Sequence, residues 1–488
     1  MTKINAADLK IEDGVKENTM CMFPFTHLHI WPDGEVWPCC STDYTPASFL
    51  GFMNTINLKD IWNGEQLKSI RKALVEGERH PACSKCFHQE DSGLKSLRSN
   101  PNNQQMLEAH RDIVQKAIDN NYEVEDFNLY YWDFRFSNLC NMKCRTCGPE
   151  LSSLWVDDWK TISKPLLEDQ DLKNKLVLNA PVVQEALKER IDGLKNADKH
   201  GVIELKNKSK QQLDEIIERD INNVEHIYFA GGEPMLSEQH YQILDKLIEH
   251  ERFDVTLSYN TNLLILNYKK FNKEYDMIDI WKKFNKCTRN GSGGHNQSGE
   301  AQVTIAASID AIGKRGEYIR HGTKWPTIEK HLKIMNHLHE HHENLFFKVT
   351  PVISIFNVLH MPDYCEYLIE KIGFKGRQLV GHNMLEHPIL FRIDQLPDNL
   401  KTQIKESYAK FLNDKSGIYD DETLRCIEVM FNGIIRYLDS DMYDRAYDDM
   451  SMRNPRFKHL TNSLDNLRNE NFKETFPELK DYWDSIEY

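Results

Sequence analysis

The chain has 488 residues, enough for about three domains that each bury a core of their own. Hydrophobic residues make up 40% and charged residues 28%, as in ordinary soluble proteins, and the formal net charge of −14 argues against a general nucleic-acid binder, which usually carries a basic face. The first residues lack the apolar segment of a secretory signal and no run of about 18 apolar residues occurs, so we expect a cytoplasmic protein without a membrane span.

The cysteines predict metal or redox chemistry, because eleven cysteines in a large intracellular chain do not suit a disulfide framework. Most of them fall into two groups. The first group is Cys21, Cys39, Cys40, Cys83 and Cys86, and the second is Cys140, Cys144 and Cys147. The remaining three are interpreted as small buried hydrophobic residues: Cys287, Cys365 and Cys426.

Residues 1–100 are predicted to form a small cysteine-rich α+β domain. Asp33-Gly34 lies between short aromatic and β-branched runs, which predicts a β-hairpin. Leu58–Leu74 has apolar residues at helical spacing, interrupted at Asn63-Gly64.

A linker, residues 101–126, is predicted to follow this domain. A polar stretch leads there into a helix expected from Gln105 to Asn120.

Residues 127–385 are predicted to form an α/β domain. In this range β-rich runs alternate with helical patterns, as in parallel sheets with right-handed crossovers. The predicted strands are FNLYYWDFRFS, HIYFAGG, DVTLSYNT, QVTIAASID, LFFKVTPVIS and RQLVG. Six strands fit a partial (β/α)6 barrel better than a complete eight-stranded one. A long insertion at about 150–222, with a helix expected around Pro181–Leu194, is placed where lids and binding elements often occur. Residues 386–488 are expected to form a helical C-terminal extension.

The segment SNLCNMKCRTCGPE directly follows the first predicted strand of this domain and gives Cys140, Cys144 and Cys147 a C-x3-C-x2-C spacing. Three thiolates so spaced can bind one iron–sulfur cube from a single loop and leave its fourth iron open. Zinc is the alternative, but C-x3-C is an unusual zinc spacing and a nearby fourth ligand is missing.

The stretch Gly231-Gly232-Glu233-Pro234 ends the second predicted strand, where glycines let the backbone approach a ligand and Glu233 offers an anion to an amino group. Together with the cysteine motif, it resembles the radical S-adenosylmethionine (SAM) superfamily. The resemblance implies that the three cysteines hold a 4Fe–4S cluster and that the GGEP stretch binds the methionine amino group of SAM. It also implies that SAM is cleaved to a 5′-deoxyadenosyl radical, which abstracts a substrate hydrogen. A flavodoxin- or ferredoxin-type reductant is implied as a partner.

Further matches to the superfamily lie downstream. ASID and YIRHG look like its fourth-strand region, which implies that Ser308 and Arg320 contact the SAM ribose or carboxylate, since an arginine fork can bind both carboxylate oxygens. A surface ion pair is the alternative for Arg320. SYNTN ends the third predicted strand as in the superfamily and adds Asn260 to the expected cofactor-binding residues. Thr146 departs from the aromatic residue that often precedes the third cysteine.

The N-terminal cysteine group resembles the twitch domain, the shorter relative of the SPASM domain; both carry an auxiliary iron–sulfur cluster. The resemblance implies a second 4Fe–4S cluster with these ligands: Cys21, Cys39, Cys83 and Cys86. Cys40 is an alternative to Cys39, because adjacent residues in a strand point to opposite faces. Structural zinc is the other alternative. Twitch and SPASM domains commonly follow the barrel, whereas this one precedes it.

The substrate is not legible from the sequence, and a small molecule and a peptide or protein both remain open. The competing function is a non-catalytic iron–sulfur or zinc protein that binds a partner through its cysteine-rich domain. Two further segments are interpreted without chemistry. Gly291–Glu300 is taken as a surface loop, and His337, His339, His341 and His342 as a solvated helix end.

Overall fold

A computed structural model describes residues 19–91, 96–99, 101–176, 188, 194, 197–205, 207–270, 273–284, 302–439 and 450–487. The interpretations of Cys287 and Gly291–Glu300 lie outside these residues. So does the helix expected around Pro181–Leu194, apart from Lys188 and Leu194 themselves.

One eight-stranded sheet runs through the N-terminal cysteine-rich segment and the α/β segment alike. Its strands are β1 His27–Ile30, β2 Glu35–Trp37, β3 Gly51–Phe52, β4 Tyr131–Phe134, β5 His226–Phe229, β6 Thr256–Thr261, β9 Val303–Ala307 and β10 Leu345–Val349, in the spatial order β10-β9-β6-β5-β4-β1-β2-β3. A separate hairpin pairs β7 Asn267–Lys270 with β8 Lys273–Asp276, and a small parallel sheet pairs β11 Val352–Ile353 with β12 Asn383–Met384.

Six neighbouring strands of the large sheet are parallel: β1, β4, β5, β6, β9 and β10. The predicted α/β class is therefore confirmed as a mixed α/β fold with a mainly parallel sheet, and closure into a partial barrel stays a prediction. The sixth parallel strand is β1 of the N-terminal segment. The sheet therefore contains strands from both sides of the predicted linker at 101–126. It joins the cysteine-rich segment to the rest of the fold.

The prediction of a strand at RQLVG is wrong. Gly376–Leu379 forms a 3-10 helix instead, which begins at Gly376 with a backbone φ of +48°, a left-handed conformation that ends an extended chain. The buried Gln378 amide donates to the Phe347 carbonyl at 3.2 Å and to Asn336 Oδ1 at 2.9 Å. The segment therefore covers β10 with a side chain instead of extending the sheet.

The hairpin and the interrupted helix predicted in the N-terminal segment are confirmed. β1 and β2 pair in antiparallel fashion around Gly34, whose φ is +94°. Helices Leu58–Trp62 and Glu65–Glu76 are separated at Asn63-Gly64.

The helix expected from Gln105 to Asn120 is two helices, Pro101–Ala109 and Arg111–Asp119, because His110 leaves helical geometry. The His110 ring packs 4.1 Å from the Tyr130 ring, centroid to centroid.

Helices connect the parallel strands and make up most of the described part of residues 386–488. Besides those already named they are Phe23–Thr26, Ser84–Asp91, Trp155–Glu168, Gln170–Lys175, Asn207–Asp220, Glu238–Glu249, Met277–Trp281, Gly313–Ile319, Trp325–His341, Met361–Tyr367, Asp398–Lys415, Asp421–Leu438, Met450–Arg468, Phe472–Thr475 and Lys480–Ser485. Within the described residues, no helix has both the length and the hydropathy needed to cross a bilayer.

Residues of β6 and β10 alternate between buried and partly exposed positions, whereas β1 and β4 are buried throughout. In β6, Leu257 and Tyr259 are buried while Ser258 and Asn260 are half-exposed, and β10 shows the same period of two. Ser258, Asn260 and Lys348 line a cavity of about 770 Å³. The sheet therefore presents a polar wall to a cavity.

Candidate metal and cofactor site

The three cysteines after β4 line a cavity of about 340 Å³ at the carboxyl ends of the parallel strands. Most of the residues predicted to bind cofactor line the same cavity. These are Cys140, Cys144, Cys147, Gly231, Gly232, Asn260, Ser308 and Arg320. Glu233 and Pro234 lie behind it and border a separate small crevice. A site at this end of the strands is typical of parallel α/β folds.

Backbone hydrogen bonds fix the cysteine loop from the side of the segment after β9. The Lys143 amide donates to the His321 carbonyl at 2.9 Å, and the Arg145 amide donates to the Ile319 carbonyl at 2.7 Å. Gly322, with φ +104°, passes so close that an added Cβ would stand 2.9 Å from the Asn141 carbonyl oxygen. The YIRHG segment therefore shapes the loop that carries the three thiols.

The GGEP segment packs against the same loop from the β5 side. A Cβ added to Gly232 would stand 2.2 Å from the Leu139 carbonyl oxygen and 2.8 Å from the Asn138 carbonyl carbon, both backbone atoms. The Glu233 amide donates to the Leu139 carbonyl at 2.8 Å. Gly232 is therefore required for the approach of two backbones within the protein, in addition to any approach to a ligand.

The Glu233 carboxylate is held inside the protein. It accepts hydrogen bonds from Thr261 Oγ1 at 2.8 Å, from the Asn262 amide at 2.8 Å and from the Met235 amide at 3.3 Å, and the residue is 2% exposed. Burial raises the pKa of this carboxyl to about 7, and the three donors oppose the shift. The side chain thus ties the GGEP segment to the end of β6 and does not line the cavity.

Arg320 stands at the cavity wall with its guanidinium already engaged. Its Nε lies 2.8 Å from Asp310, whose side chain is fully buried, and its Nη1 donates to Cys144 Sγ at 3.7 Å. Arg320 therefore forms an ion pair, as the alternative expected, but the pair is buried and does not lie on the surface. The geometry places a fixed positive charge beside the Cys144 sulfur.

The three thiols of the loop are buried enough to favour their neutral form. Burial raises the pKa of Cys140, Cys144 and Cys147, to about 12 at Cys147, while the Arg320 guanidinium opposes the shift at Cys144. A bound cation would displace these protons, since thiolates are the ligating form.

The N-terminal group brings Cys39 together with the other three predicted ligands. Burial raises the pKa of the Cys39 thiol, and the nearby sulfurs of Cys40, Cys86, Cys83 and Cys21 add to the shift. Burial likewise raises the pKa of Cys21 to about 12, and Asn103 Nδ2 donates to Cys21 Sγ at 3.3 Å. The group has the four sulfurs that an iron–sulfur or a zinc site requires.

Cys40 has different neighbours. Its thiol lies near Asp133 and Arg135, and the residue lines both the 340 Å³ and the 770 Å³ cavities. Cys39 and Cys40 therefore have different neighbours, and Cys39 is the one that lies with the remaining N-terminal cysteines.

The cysteine groups are more open than a single metal ion requires. In the described part of the chain, the metal-ligating side chains whose donor atoms all lie within 4.8 Å of one another are His337, Glu340 and His341, and neither cysteine group is that compact. Tetrahedral zinc at a Zn–S distance of about 2.3 Å would bring its sulfurs to about 3.8 Å from one another. The three residues of the histidine group are exposed, as expected for a solvated helix end.

A buried polar group lies where β1 meets β4, and the sequence reasoning missed it. The parallel register sets His29 opposite Asp133, and His29 Nδ1 lies 3.0 Å from Asp133 Oδ2. Arg135 Nη2 is 2.8 Å from Asp133 Oδ1, and its guanidinium lies over the Tyr228 ring at 4.9 Å. His29, Arg135 and Tyr228 line the 340 Å³ cavity. Charged residues at alternate positions of the apolar run YWDFRF were the available signal.

The C-terminal region supports the cysteine loop from behind, which the sequence also did not reveal. Arg145, fully buried, pairs with Asp465 and with Glu470, the latter at 2.6 Å, and lies 3.7 Å from the Tyr318 ring centre. The Trp155 indole donates to the Cys144 carbonyl at 2.8 Å. Trp155 thus helps to fix the loop.

Comparison with known proteins gives one match. Residues 21–87 match the SPASM family, an iron–sulfur cluster-binding domain. The match spans all five N-terminal cysteines and ends before β4. No curated protein and no solved structure matches the chain. The prediction of an auxiliary-cluster domain of twitch or SPASM type at the N-terminus is confirmed at this level, as similarity to that family.

Proposed function

We propose that this chain is a radical SAM enzyme whose N-terminal domain holds an auxiliary iron–sulfur cluster. One observation carries the proposal: three thiols of a single loop share a cavity with the glycines of a neighbouring strand end. Cys140, Cys144 and Cys147 are on one wall, and Gly231 and Gly232 are on another. This is the arrangement needed for a metal cluster with a free coordination position and a ligand bound beside it.

The donor set fits a 4Fe–4S cluster. Three cysteine sulfurs leave one iron without a protein ligand, and the cavity leaves room next to them. When bound, the cluster and SAM supply a 5′-deoxyadenosyl radical by reductive cleavage, and that radical abstracts a hydrogen atom from a substrate.

The residues around the thiols would bind and orient SAM. The backbone at Gly231 is open toward the cavity, and Asn260 and Ser308 add polar side chains to its wall. Glu233 would act through the position of the GGEP backbone, because its carboxylate is occupied by Thr261, Asn262 and Met235. Arg320 would mainly supply a positive charge beside the Cys144 sulfur.

The N-terminal domain would supply the second cluster and part of the substrate wall. The SPASM match supports iron and sulfide as its metal group, with the four ligands Cys21, Cys39, Cys83 and Cys86. Because β1 pairs with β4, this domain borders the same cavity as the three-cysteine loop. The 340 Å³ and 770 Å³ cavities share wall residues, so a substrate of appreciable size, a small molecule or a peptide, has space. A flavodoxin- or ferredoxin-type protein would deliver the electrons.

The experiment is anaerobic reconstitution with iron and sulfide, followed by iron counting and a 5′-deoxyadenosine assay with SAM and a chemical reductant. We expect 5′-deoxyadenosine from the native chain and none when Cys140, Cys144 and Cys147 are replaced by Ala. Cys426→Ala is the matched control, because Cys426 is buried away from both cysteine groups. An unchanged yield in the triple variant would refute the proposal. Iron-loaded native protein that never cleaves SAM would favour the non-catalytic partner-binding alternative.

A further inference from the structure

Cys40 stands where the two cavities meet. Cys40, Tyr228 and Asn260 line both the 340 Å³ cavity of the three-cysteine loop and the 770 Å³ cavity on the polar face of the sheet. Cys40 is also the one N-terminal cysteine whose main charged neighbours are Asp133 and Arg135, whereas Cys39 is grouped with the other sulfurs. Its side chain is therefore left over from both metal-ligand sets and borders the space for substrate.

The surroundings of Cys40 are those of a site that receives a ligand. His29 is 1% exposed and lines the same cavity, and its Nε2 has no hydrogen-bond partner, which is costly for a buried polar atom unless a ligand or water supplies one. Asp133 Oδ2 lies 3.0 Å from His29 Nδ1, and Asp133 is also a near neighbour of the Cys40 thiol. This carboxylate therefore fixes the orientation of His29 close to Cys40 at the cavity wall.

We propose that Cys40 is a hydrogen-atom donor to carbon radicals formed in the cavity. The proposal rests on the radical SAM function proposed above and adds a catalytic residue to it. In the step, the Cys40 S–H bond breaks and a C–H bond forms at the radical carbon, which leaves a Cys40 thiyl radical. One electron, and one proton from solvent in the cavity, then restore the thiol. The electron comes from the one-electron reductant that also drives SAM cleavage.

The position of Cys40 suits this cycle. Its chain neighbour Cys39 is grouped with the cysteines of the auxiliary site, so an electron from that site has only a short distance to travel. Asp133 and Arg135 form a buried ion pair at 2.8 Å near the thiol, which places a fixed pair of charges at this part of the cavity wall. A substrate radical that takes this hydrogen atom becomes a product at the same oxidation level as the substrate.

The test needs no substrate, because the 5′-deoxyadenosyl radical is itself a carbon radical in this cavity. Loaded protein is incubated in D₂O with SAM and titanium(III) citrate, so that the Cys40 thiol carries deuterium. We expect 5′-deoxyadenosine with one solvent deuterium from the native chain. Cys40→Ser keeps the size and the contact to Asp133, but its O–H bond is too strong to donate a hydrogen atom. We expect that variant to lose the label from each 5′-deoxyadenosine formed.

Controls separate this proposal from the one on which it rests. Cys426→Ser lies outside both cavities and should keep the label. A full label in Cys40→Ser, or an unlabelled product from the native chain, would overturn the role of Cys40 and leave SAM cleavage standing. Absence of any 5′-deoxyadenosine from native protein that carries its full iron would overturn both proposals.

A second readout does not depend on turnover. Loaded protein is treated with methyl methanethiosulfonate and its cysteine peptides are analysed by mass spectrometry. We expect Cys40 to be modified while Cys39 is protected by its metal, and we expect SAM to slow the modification of Cys40 by filling the shared cavity. Protection of Cys40 equal to that of Cys39 would make it a metal ligand and would refute its role as a donor.

Discussion

Gly232 and Leu139 bring two functional loops into backbone contact: a Cβ on Gly232 would stand 2.2 Å from the Leu139 carbonyl oxygen. Because Leu139 immediately precedes Cys140, this contact sets where the first thiol of the loop lies.

Gly232→Ala should displace the cysteine loop, since neither backbone can yield as a flexible side chain would. We expect a loss of about 3 kcal/mol in the free energy of unfolding, as for overpacking of a tight interior, together with reduced iron in the three-cysteine site. Gly313→Ala is the control, because Gly313 has φ +56° but nothing within 4 Å of an added Cβ. It should cost only the backbone strain of about 1–2 kcal/mol. Equal effects of the two changes in chemical denaturation would contradict the contact argument.

Replacement of Cys39 should lower the iron content, whereas replacement of Cys40 should leave it unchanged. Native reconstituted protein is expected to carry about eight irons, and Cys39→Ala should lower this to about four, because it removes a ligand of the N-terminal cluster. Cys40→Ala should leave about eight. Replacing Cys83 and Cys86 together should match Cys39→Ala and also destabilise the domain, since a metal site contributes folding energy. Four irons and one tightly bound zinc in native protein would instead indicate a zinc site.

Arg145→Met should destabilise the fold strongly. It removes a fully buried cation and takes one partner from each of Asp465 and Glu470, and breaking a buried pair typically costs about 3–5 kcal/mol. Arg79→Met is the matched control, because the Arg79–Asp91 pair is more than half exposed at Arg79 and such pairs contribute under about 1 kcal/mol. Similar unfolding midpoints for the two variants would show that the C-terminal region does not support the cysteine loop through Arg145.

The buried Glu233 should make the metal-free protein less stable as the pH rises. Its pKa is raised from 4.5 to about 7 in the fold, so the folded state favours the protonated carboxyl. That contribution is fully present below about pH 4.5 and is lost as the pH rises through about 7, a difference of up to about 3 kcal/mol.

Glu233→Gln removes this titration and serves as the comparison. Urea unfolding of both proteins at pH 5 and pH 8 should show a larger loss of unfolding free energy between the two pH values in the native chain. Any destabilisation by the introduced amide itself is the same at both pH values and does not affect this comparison. Parallel pH dependences would place the titrating group elsewhere.

The sequence by itself determined the elements and ligands that depend on local pattern. The alternation of strands and helices predicted the α/β class, and Asp33-Gly34 predicted the β1–β2 hairpin, because a turn and a period of two are properties of neighbouring residues. The spacing of Cys140, Cys144 and Cys147 likewise indicated a metal-binding loop before any fold was known.

The tertiary structure decided what depends on residues far apart in the chain. It placed β1 beside β4, so that His29 meets Asp133 across 104 positions and the N-terminal domain borders the cavity. It separated Cys39 from Cys40, turned Glu233 from the cavity toward Thr261 and Asn262, and brought Asp465 to Arg145. Hydrophobic pattern sets which face of an element is buried, but the partner of a buried charge is chosen by the register and packing of distant segments, and no short stretch of sequence contains that choice.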